Sequence, residues 1–227
     1  LGNARMDDSY SKDNFNTDLE GDGAFICQNS WGDNFGENGF FYISYYDTNI
    51  GTHNVVYTDI ENTDNYDHIY QSDLCGWVGQ LGYNKDSIYG ANVFTAEGNE
   101  TLKAASFYAT GKDSQYELYV VRQFADESSL EKMIPVASGK LGNAGYYTVD
   151  FNQGIEVDAG ERYAVVLHII TSGSVHPMAI EYAADEATEN VDLDDGESYI
   201  SVNGSKWVSV DTVEKSNLCI KAFSDNR

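Results

Sequence analysis

The residues of this sequence best suited to chemistry lie in one short segment, residues 25–43. It contains Asn29-Ser30-Trp31-Gly32, then Phe35-Gly36 and Gly39-Phe40, between two apolar runs that are typical of strands. An Asn side chain both donates and accepts hydrogen bonds without carrying a charge, and a neighbouring indole can exclude water from such a bond. The glycines suit a tight turn between the strands. The segment predicts an amide held at a turn beside aromatic side chains.

This segment resembles the last catalytic segment of papain-like cysteine proteases, because spacing, glycines and aromatic residues all match that family together. The resemblance implies that Asn29 orients a catalytic His by accepting a hydrogen bond from the imidazole N–H. It also implies that Trp31 covers that hydrogen bond and strengthens it by excluding water. Phe35 stands where the family more often has Trp, which is a conservative change in a packed turn.

The same resemblance places the rest of the catalytic machinery before this chain begins. The family orders its triad Cys, His, Asn, and the sequence has no His before Asn29. Met6–Tyr10 resembles the turn after the catalytic His strand, so the His is expected just before Leu1 and the Cys a whole subdomain earlier. We therefore expect the C-terminal portion of a cysteine peptidase, inactive alone. Its implied partners are the N-terminal part of the peptidase domain and a protein or peptide substrate, with no required cofactor.

The cysteines and histidines provide no second catalytic or metal motif. Cys27 lies in an apolar run and is predicted to be a buried core thiol. Cys75 and Cys219 could pair or stay free, and the sequence leaves both options open. The four histidines are separated in sequence and are predicted to be ordinary core or surface residues: His53, His68, His168 and His176.

After the polar run at residues 61–67, short strand-like segments recur with Gly, Asn or Asp between them, as in antiparallel sandwiches. Alternation is clear in Gln115–Arg122, and the one helix-like stretch, Asp126–Lys132, is short. The predicted strands are Ala24–Gln28, Phe40–Tyr46, Val55–Thr58, Ile88–Phe94, Glu100–Ala109, Gln115–Arg122, Ile134–Leu141, Gly145–Asn152, Arg162–Ile170, Met178–Ala183, Ser198–Val202, Lys206–Ser209 and Leu218–Phe223.

This second part is similar to the lectin-like β-sandwich that follows the peptidase domain in certain surface and secreted bacterial cysteine proteases. The segments that carry the similarity are Tyr70–Asp73, Ala91–Phe94, Glu100–Tyr108 and Val157–Val166. The predicted fold is mainly β: the C-terminal strands of a papain-like β-subdomain in residues 1–68, then an antiparallel lectin-like sandwich of jelly-roll type in residues 69–227. The resemblance implies an extracellular or cell-surface location.

The charge of the sequence excludes some partners. With 13 Lys and Arg against 37 Asp and Glu, the formal net charge is −24. Nucleic acid is therefore not an expected partner, because affinity for phosphate depends on Lys and Arg. No apolar run of 18 residues exists, so no membrane-spanning helix is predicted.

The sandwich sequence contains two further candidate sites. Trp77 and Trp207 could stack on a sugar ring, although aromatic residues in sandwiches more often belong to the core. Asp192, Asp194 and Asp195 could hold a structural Ca²⁺, although the loop fails the EF-hand spacing and a solvated acidic turn is the simpler interpretation. The alternative to a peptidase part is a non-catalytic module of a pseudo-protease that binds cell-wall glycan or acts as a spacer.

Overall fold

The computed structural model describes residues 2–50, 56–57, 60–194, 196–210 and 215–227, with the backbone alone at residues 2–4. The chain divides into two compact units, Leu1–Ile60 and Glu61–Arg227. Every pairing between the strands of the described residues is antiparallel. The mainly β prediction is confirmed.

The first unit contains one three-stranded sheet. Its strands are β1 (Gly2–Asp7), β2 (Ala24–Gln28) and β3 (Phe40–Ser44), in that order across the sheet, with a 3-10 helix at Lys12–Asn14. The polar sequence of β1 forms a strand because it pairs along one edge of β2. The predicted strand Val55–Thr58 lies partly outside the described residues, and Val56 and Tyr57 are not in a strand.

The second unit contains thirteen strands among its described residues and a 3-10 helix at Glu127–Glu131. The strands are β4 (His68–Tyr70), β5 (Gly79–Leu81), β6 (Ser87–Thr95), β7 (Glu100–Ala109), β8 (Ser114–Val121), β9 (Ile134–Leu141), β10 (Gly145–Val157), β11 (Arg162–Ile170), β12 (Met178–Glu181), β13 (Ser198–Ser201), β14 (Val208–Ser209), β15 (Asn217–Leu218) and β16 (Ile220–Asn226). No helix of the described chain is both long and apolar enough to cross a bilayer.

Two larger sheets enclose the main apolar core of this unit. One has six strands in the order β14-β13-β6-β11-β8-β9, and the other has four in the order β10-β7-β16-β4. A small third sheet has the order β15-β12-β5. The inward-facing residues of both larger sheets form one buried cluster, in which Leu102 and Phe107 of β7 join Leu118 of β8 and Leu167 of β11. This is the expected sandwich. The outer face of the six-stranded sheet carries a second, smaller apolar cluster that includes Val93, Val166 and Leu130.

Glu100 is a fully buried carboxylate at the start of β7 that ties three strands of the four-stranded sheet together. It accepts hydrogen bonds from the Tyr70 hydroxyl at 2.8 Å, the Ser224 hydroxyl at 2.6 Å and the Gly98 N–H at 2.7 Å. Burial alone would raise the pKa of Glu100, but the hydrogen bonds from Ser224, Gly98 and Tyr70 outweigh it, so its pKa lies below 4.5.

Because the folded pKa of Glu100 is depressed, ionised Glu100 stabilises the fold above its unfolded pKa, and this contribution is lost as the pH falls through the folded pKa. We expect Glu100→Gln to lower the free energy of unfolding by about 2 kcal/mol at pH 7. The difference from the parent protein should shrink as the pH drops below 4.5. Urea unfolding at several pH values measures this, and a difference that is constant with pH would contradict the role of the charge.

Candidate functional site

Asn29 lies directly after β2, at the start of the turn to β3, and its amide is held by the backbone of that turn. Its Nδ2 donates to the Gly39 carbonyl at 2.8 Å and, more weakly, to the Phe35 carbonyl at 3.4 Å. Its Oδ1 accepts from the Trp31 N–H at 2.5 Å. Since both bonds of Nδ2 go to carbonyl oxygens, the oxygen and nitrogen of the amide have defined directions.

The acceptor capacity of Asn29 is only partly used. An amide oxygen has two lone pairs, and the Trp31 N–H occupies one. The side chain is half-buried, so one face of it stays accessible. This geometry can present a fixed, uncharged acceptor to a ring N–H. Gly36 and Gly39, at φ of 65° and 87°, allow the turn to close in this way, because residues with a Cβ rarely adopt positive φ.

An aromatic cluster surrounds the turn. Trp31 packs edge-on against Phe35 with ring centroids 5.0 Å apart, and Phe35 packs in the same way on Phe41 at 5.6 Å. The Trp31 side chain is nevertheless 76% exposed. An indole held in place from one side but open on the other is suited to cover a further group.

The three thiols of the chain are poorly suited to act as nucleophiles. Cys27 in β2 is buried, and burial raises its pKa. Burial raises the pKa of Cys219, and the charge of Asp73 adds to this effect. Partial desolvation by neighbouring atoms and the charge of Glu181 raise the pKa of the exposed Cys75. A raised pKa reduces the population of the reactive thiolate at neutral pH. Cys75 and Cys219 are both free thiols in this structure.

His68 and His168 are held by polar partners rather than by a thiol, and the backbone N–H of His176 donates to Ser174 Oγ at 3.2 Å. His68 lies 3.0 Å from Asn226 Oδ1 and 3.5 Å from Glu97, while His168 lies between Glu117 and Ser87. His53 lies outside the described residues. Within the described part of the chain, no group of three or more His, Cys, Asp or Glu side chains is arranged to hold a metal ion.

The two tryptophans of the sandwich have different surroundings. Trp77, 37% exposed, lies in the loop before β5, with its ring 5.8 Å from that of Tyr108. Tyr108 in turn packs on the exposed Tyr146, so the three rings form an aromatic row. Trp207 packs beside a buried cluster under the Glu127–Glu131 helix, and its buried indole N–H has no hydrogen-bond partner among the described residues.

The acidic loop after β12 presents Asp192 and Asp194 to solvent, and Asp194 N–H donates to Asp192 Oδ1 at 3.0 Å. Asp195 lies outside the described residues. The Asp192 backbone carbonyl points inward and accepts from Asn217 Nδ2 at 2.9 Å. The hydrogen bond from the Asp194 N–H to Asp192 Oδ1 is typical of a local polar turn. It occupies one carboxylate oxygen of Asp192.

A buried polar cluster that was not predicted from the sequence lies beside the Asp192 loop. It contains Asp73, Glu181, Asn217 and Lys221. Asp73 and Glu181 are both almost fully buried. Lys221 Nζ pairs with Asp73 Oδ1 at 2.6 Å, while Glu181 accepts from the Cys75 N–H and from Asn217. Burial raises the pKa of Asp73 and the Lys221 ammonium opposes that shift. The cluster anchors the loop that carries Cys75 and Trp77.

Residues 69–224 match the family model of the lectin like domain, which covers well over half of the chain. The chain belongs to the lectin-like domain family. This assigns the β-sandwich of the second unit. No curated protein sequence matches the chain.

Two solved structures extend the similarity to the first unit. A clostridial cysteine protease, Cwp84, after propeptide cleavage, is 28% identical with a TM-score of 0.78, over 98% of this chain and 56% of that one. The cysteine protease and lectin-like domains of Cwp84, a surface layer associated protein of Clostridium difficile, give 24% identity and a TM-score of 0.73, over 98% and 50%. The chain thus spans about half the length of these structures. The recognition of a papain-like protease part followed by a lectin-like domain is confirmed.

The buried ion pair provides a test of what holds the Trp77 loop. Lys221→Met should leave the Asp73 carboxyl buried without a cation and lower the free energy of unfolding by about 3–5 kcal/mol. Lys103→Met is the matched control, because Lys103 forms an exposed pair with Asp225 at 3.6 Å. It should cost less than about 1 kcal/mol.

Chemical denaturation of both variants measures the difference. The double variant Asp73→Leu with Lys221→Met should recover most of the lost stability, since a buried pair can often be replaced by apolar residues. Equal effects of Lys221→Met and Lys103→Met would show that the buried pair does not hold the fold.

Proposed function

We propose that this chain is the C-terminal portion of a papain-like cysteine peptidase, which cleaves peptide bonds with a Cys–His–Asn triad and carries an accessory lectin-like sandwich. The observation that carries the proposal is the amide of Asn29, fixed by the turn with acceptor capacity to spare. In the proposed site the Cys nucleophile and the His base come from upstream sequence. The described residues of this chain offer neither, and all three thiols have raised pKa values.

In this mechanism the thiolate attacks the scissile carbonyl and the imidazole carries the proton to the leaving amine. Asn29 Oδ1 accepts from the far ring N–H, which fixes the tautomer and the orientation of the imidazole. Because an amide adds no charge, it favours the imidazolium form less than a carboxylate would. Trp31, exposed on the open side of the aromatic cluster, covers this hydrogen bond and excludes water from it.

The partners in this proposal are the N-terminal part of the peptidase domain and a protein or peptide substrate. An extracellular or cell-surface location is supported by the similarity to Cwp84, which is described as surface layer associated. The peptidase chemistry requires no cofactor. A Ca²⁺ ion held by Asp192, Asp194 and Asp195 would be structural. A melting temperature that calcium leaves unchanged would contradict such binding.

A second candidate function is a non-catalytic module of a pseudo-protease that binds cell-wall glycan or acts as a spacer. The aromatic row of Trp77, Tyr108 and Tyr146 favours it, because exposed rings can stack on the apolar face of a sugar. The partly buried Trp207 is the other candidate for such stacking. The two functions differ in one respect that is easily measured, namely whether the longer protein has a reactive thiol.

A thiol-directed covalent protease probe should label the product of the reading frame that includes the upstream sequence, and should not label the present chain. Intact mass spectrometry gives the stoichiometry. Absence of labelling on the longer product would favour the pseudo-protease, and the sandwich would then carry the function.

In that longer product, Asn29→Ala should lower kcat/KM by about 100-fold, because the imidazole loses its orientation. Asn34→Ala is the matched control, since Asn34 is exposed in the same turn. The pH profile of kcat/KM distinguishes a loss of orientation from a loss of folded enzyme. Equal kcat/KM for the Asn29→Ala variant and the parent would contradict the assigned role.

A further inference from the structure

One outer face of the sandwich carries a set of polar side chains that the peptidase proposal does not use. In β8, alternate residues point into the core, so Gln115 and Glu117 point outward. The pairing register places Glu117 opposite Ser138 of β9 and opposite His168 of β11. Two residues away in β8, Gln115 lies opposite Lys140 of β9 and opposite Ile170 of β11.

These six residues line an open hollow of about 280 Å³. A second hollow of about 290 Å³ adjoins it, shares Glu117 and Ser138, and adds Tyr119 and Asn152. We call the two together the β8–β9 groove. Each hollow is close to the lower limit of volume for small-molecule sites, and their shallow shape suits a ligand that lies along the sheet.

The carboxylate of Glu117 is fixed at the centre of the groove. Its Oε2 accepts from His168 Nδ1 at 2.7 Å and from the Tyr119 hydroxyl at 3.0 Å. No hydrogen bond from a described residue reaches its Oε1. The hydrogen bond from His168 is the main reason that the pKa of Glu117 is lowered, so this half-exposed group remains ionised at neutral pH.

His168 supports this carboxylate and is itself fully held. Its Nε2 lies 2.9 Å from the Ser87 hydroxyl, and its ring stacks on Tyr89 at 3.9 Å with an interplanar angle of 2°. The series Ser87, His168 and Glu117 has the connectivity of a Ser–His–acid triad. Ser87 lines neither hollow, however, so its hydroxyl is not presented to a ligand in the groove. The arrangement favours binding over hydrolysis.

The chemistry of the groove selects the ligand class. Glu117 offers a charged acceptor, Lys140 a charged donor, and Gln115, Asn152 and Ser138 offer groups that both donate and accept. A polyanion is disfavoured by the net charge of −24. The apolar part of the lining, which is Tyr116 and Ile170 in the first hollow and Tyr119, Pro135 and Ala137 in the second, lies beside these polar groups.

A hydroxyl-rich neutral ring satisfies this surface. Its hydroxyls can donate to a carboxylate in charge-assisted bonds, which are stronger than neutral ones, and its C–H face can pack on an aromatic ring. We propose that the β8–β9 groove binds a neutral oligosaccharide through Glu117, with Lys140 and Gln115 as further contacts. This inference rests on the proposed accessory role of the lectin-like sandwich, and places its ligand site away from the Trp77 row.

The test uses the whole chain and three defined probes, the tetrasaccharides of β-linked N-acetylglucosamine, glucose and mannose. Titration followed by NMR chemical shifts should show saturable binding of at least one, with shifts concentrated in β8, β9 and β11. Glu117→Ala should weaken binding by about tenfold or more, because a charge-assisted hydrogen bond is lost. Glu131→Ala, at an exposed carboxylate in the Glu127–Glu131 helix, should leave binding unchanged.

Two further variants test the groove independently of Glu117→Ala. Lys140→Ala and Gln115→Ala change only exposed side chains, so they report on binding if Glu117→Ala disturbs the fold. Binding that survives these changes but is lost in Trp77→Ala would overturn the inference. The sandwich would then bind glycan at the Trp77 row instead of the groove. No binding of any probe, or binding of a peptide in the groove instead, would also overturn it. None of these results alters the thiol-labelling test of the peptidase proposal.

Discussion

The closing of two antiparallel sheets over one apolar core is the constraint on which the larger unit of this protein depends. The inner residues of the six-stranded and four-stranded sheets belong to a single buried cluster. Because side chains alternate along a strand, each inward residue fixes its neighbours on the outer face. Leu118 and Leu167 in the core therefore determine that Glu117 and His168 meet outside it. The groove follows from the register of β8 with β9 and β11, and the contacts of the buried Glu100 follow from the register of β16 with β4 and β7 in the other sheet.

Much of this fold could be predicted from sequence because the longer strands show regular alternation. The bounds of Glu100–Ala109, Ile134–Leu141 and Arg162–Ile170 agree with the structure. The strands His68–Tyr70 and Gly79–Leu81 were missed, since three residues are too few to show a period. The predicted strand Leu218–Phe223 is wrong as one element, because Leu218 pairs with β12 whereas Ile220 onward pairs with β7.

The site residues differ in the same respect: some are contiguous in sequence, and others come together only in the fold. The Asn29 turn could be recognised because its residues are contiguous, and the structure adds only the direction of the amide. The groove and the Asp73–Lys221 pair could not be recognised, because their members are far apart in sequence: Glu117 and His168 are 51 residues apart, and Asp73 and Lys221 are 148 apart. Single charged residues within strands give no sign of their partners until the register is known.

The proposed catalytic role of this segment depends on what Asn29 faces when the upstream sequence is present. The most direct measurement is a crystal structure of the product that includes the upstream sequence. We predict an imidazole nitrogen within about 2.6–3.2 Å of Asn29 Oδ1, with the Trp31 indole covering the bond and a Cys thiol at the other ring nitrogen. A structure with no imidazole in hydrogen-bonding distance of Asn29 would contradict the assignment of this segment to a working catalytic site.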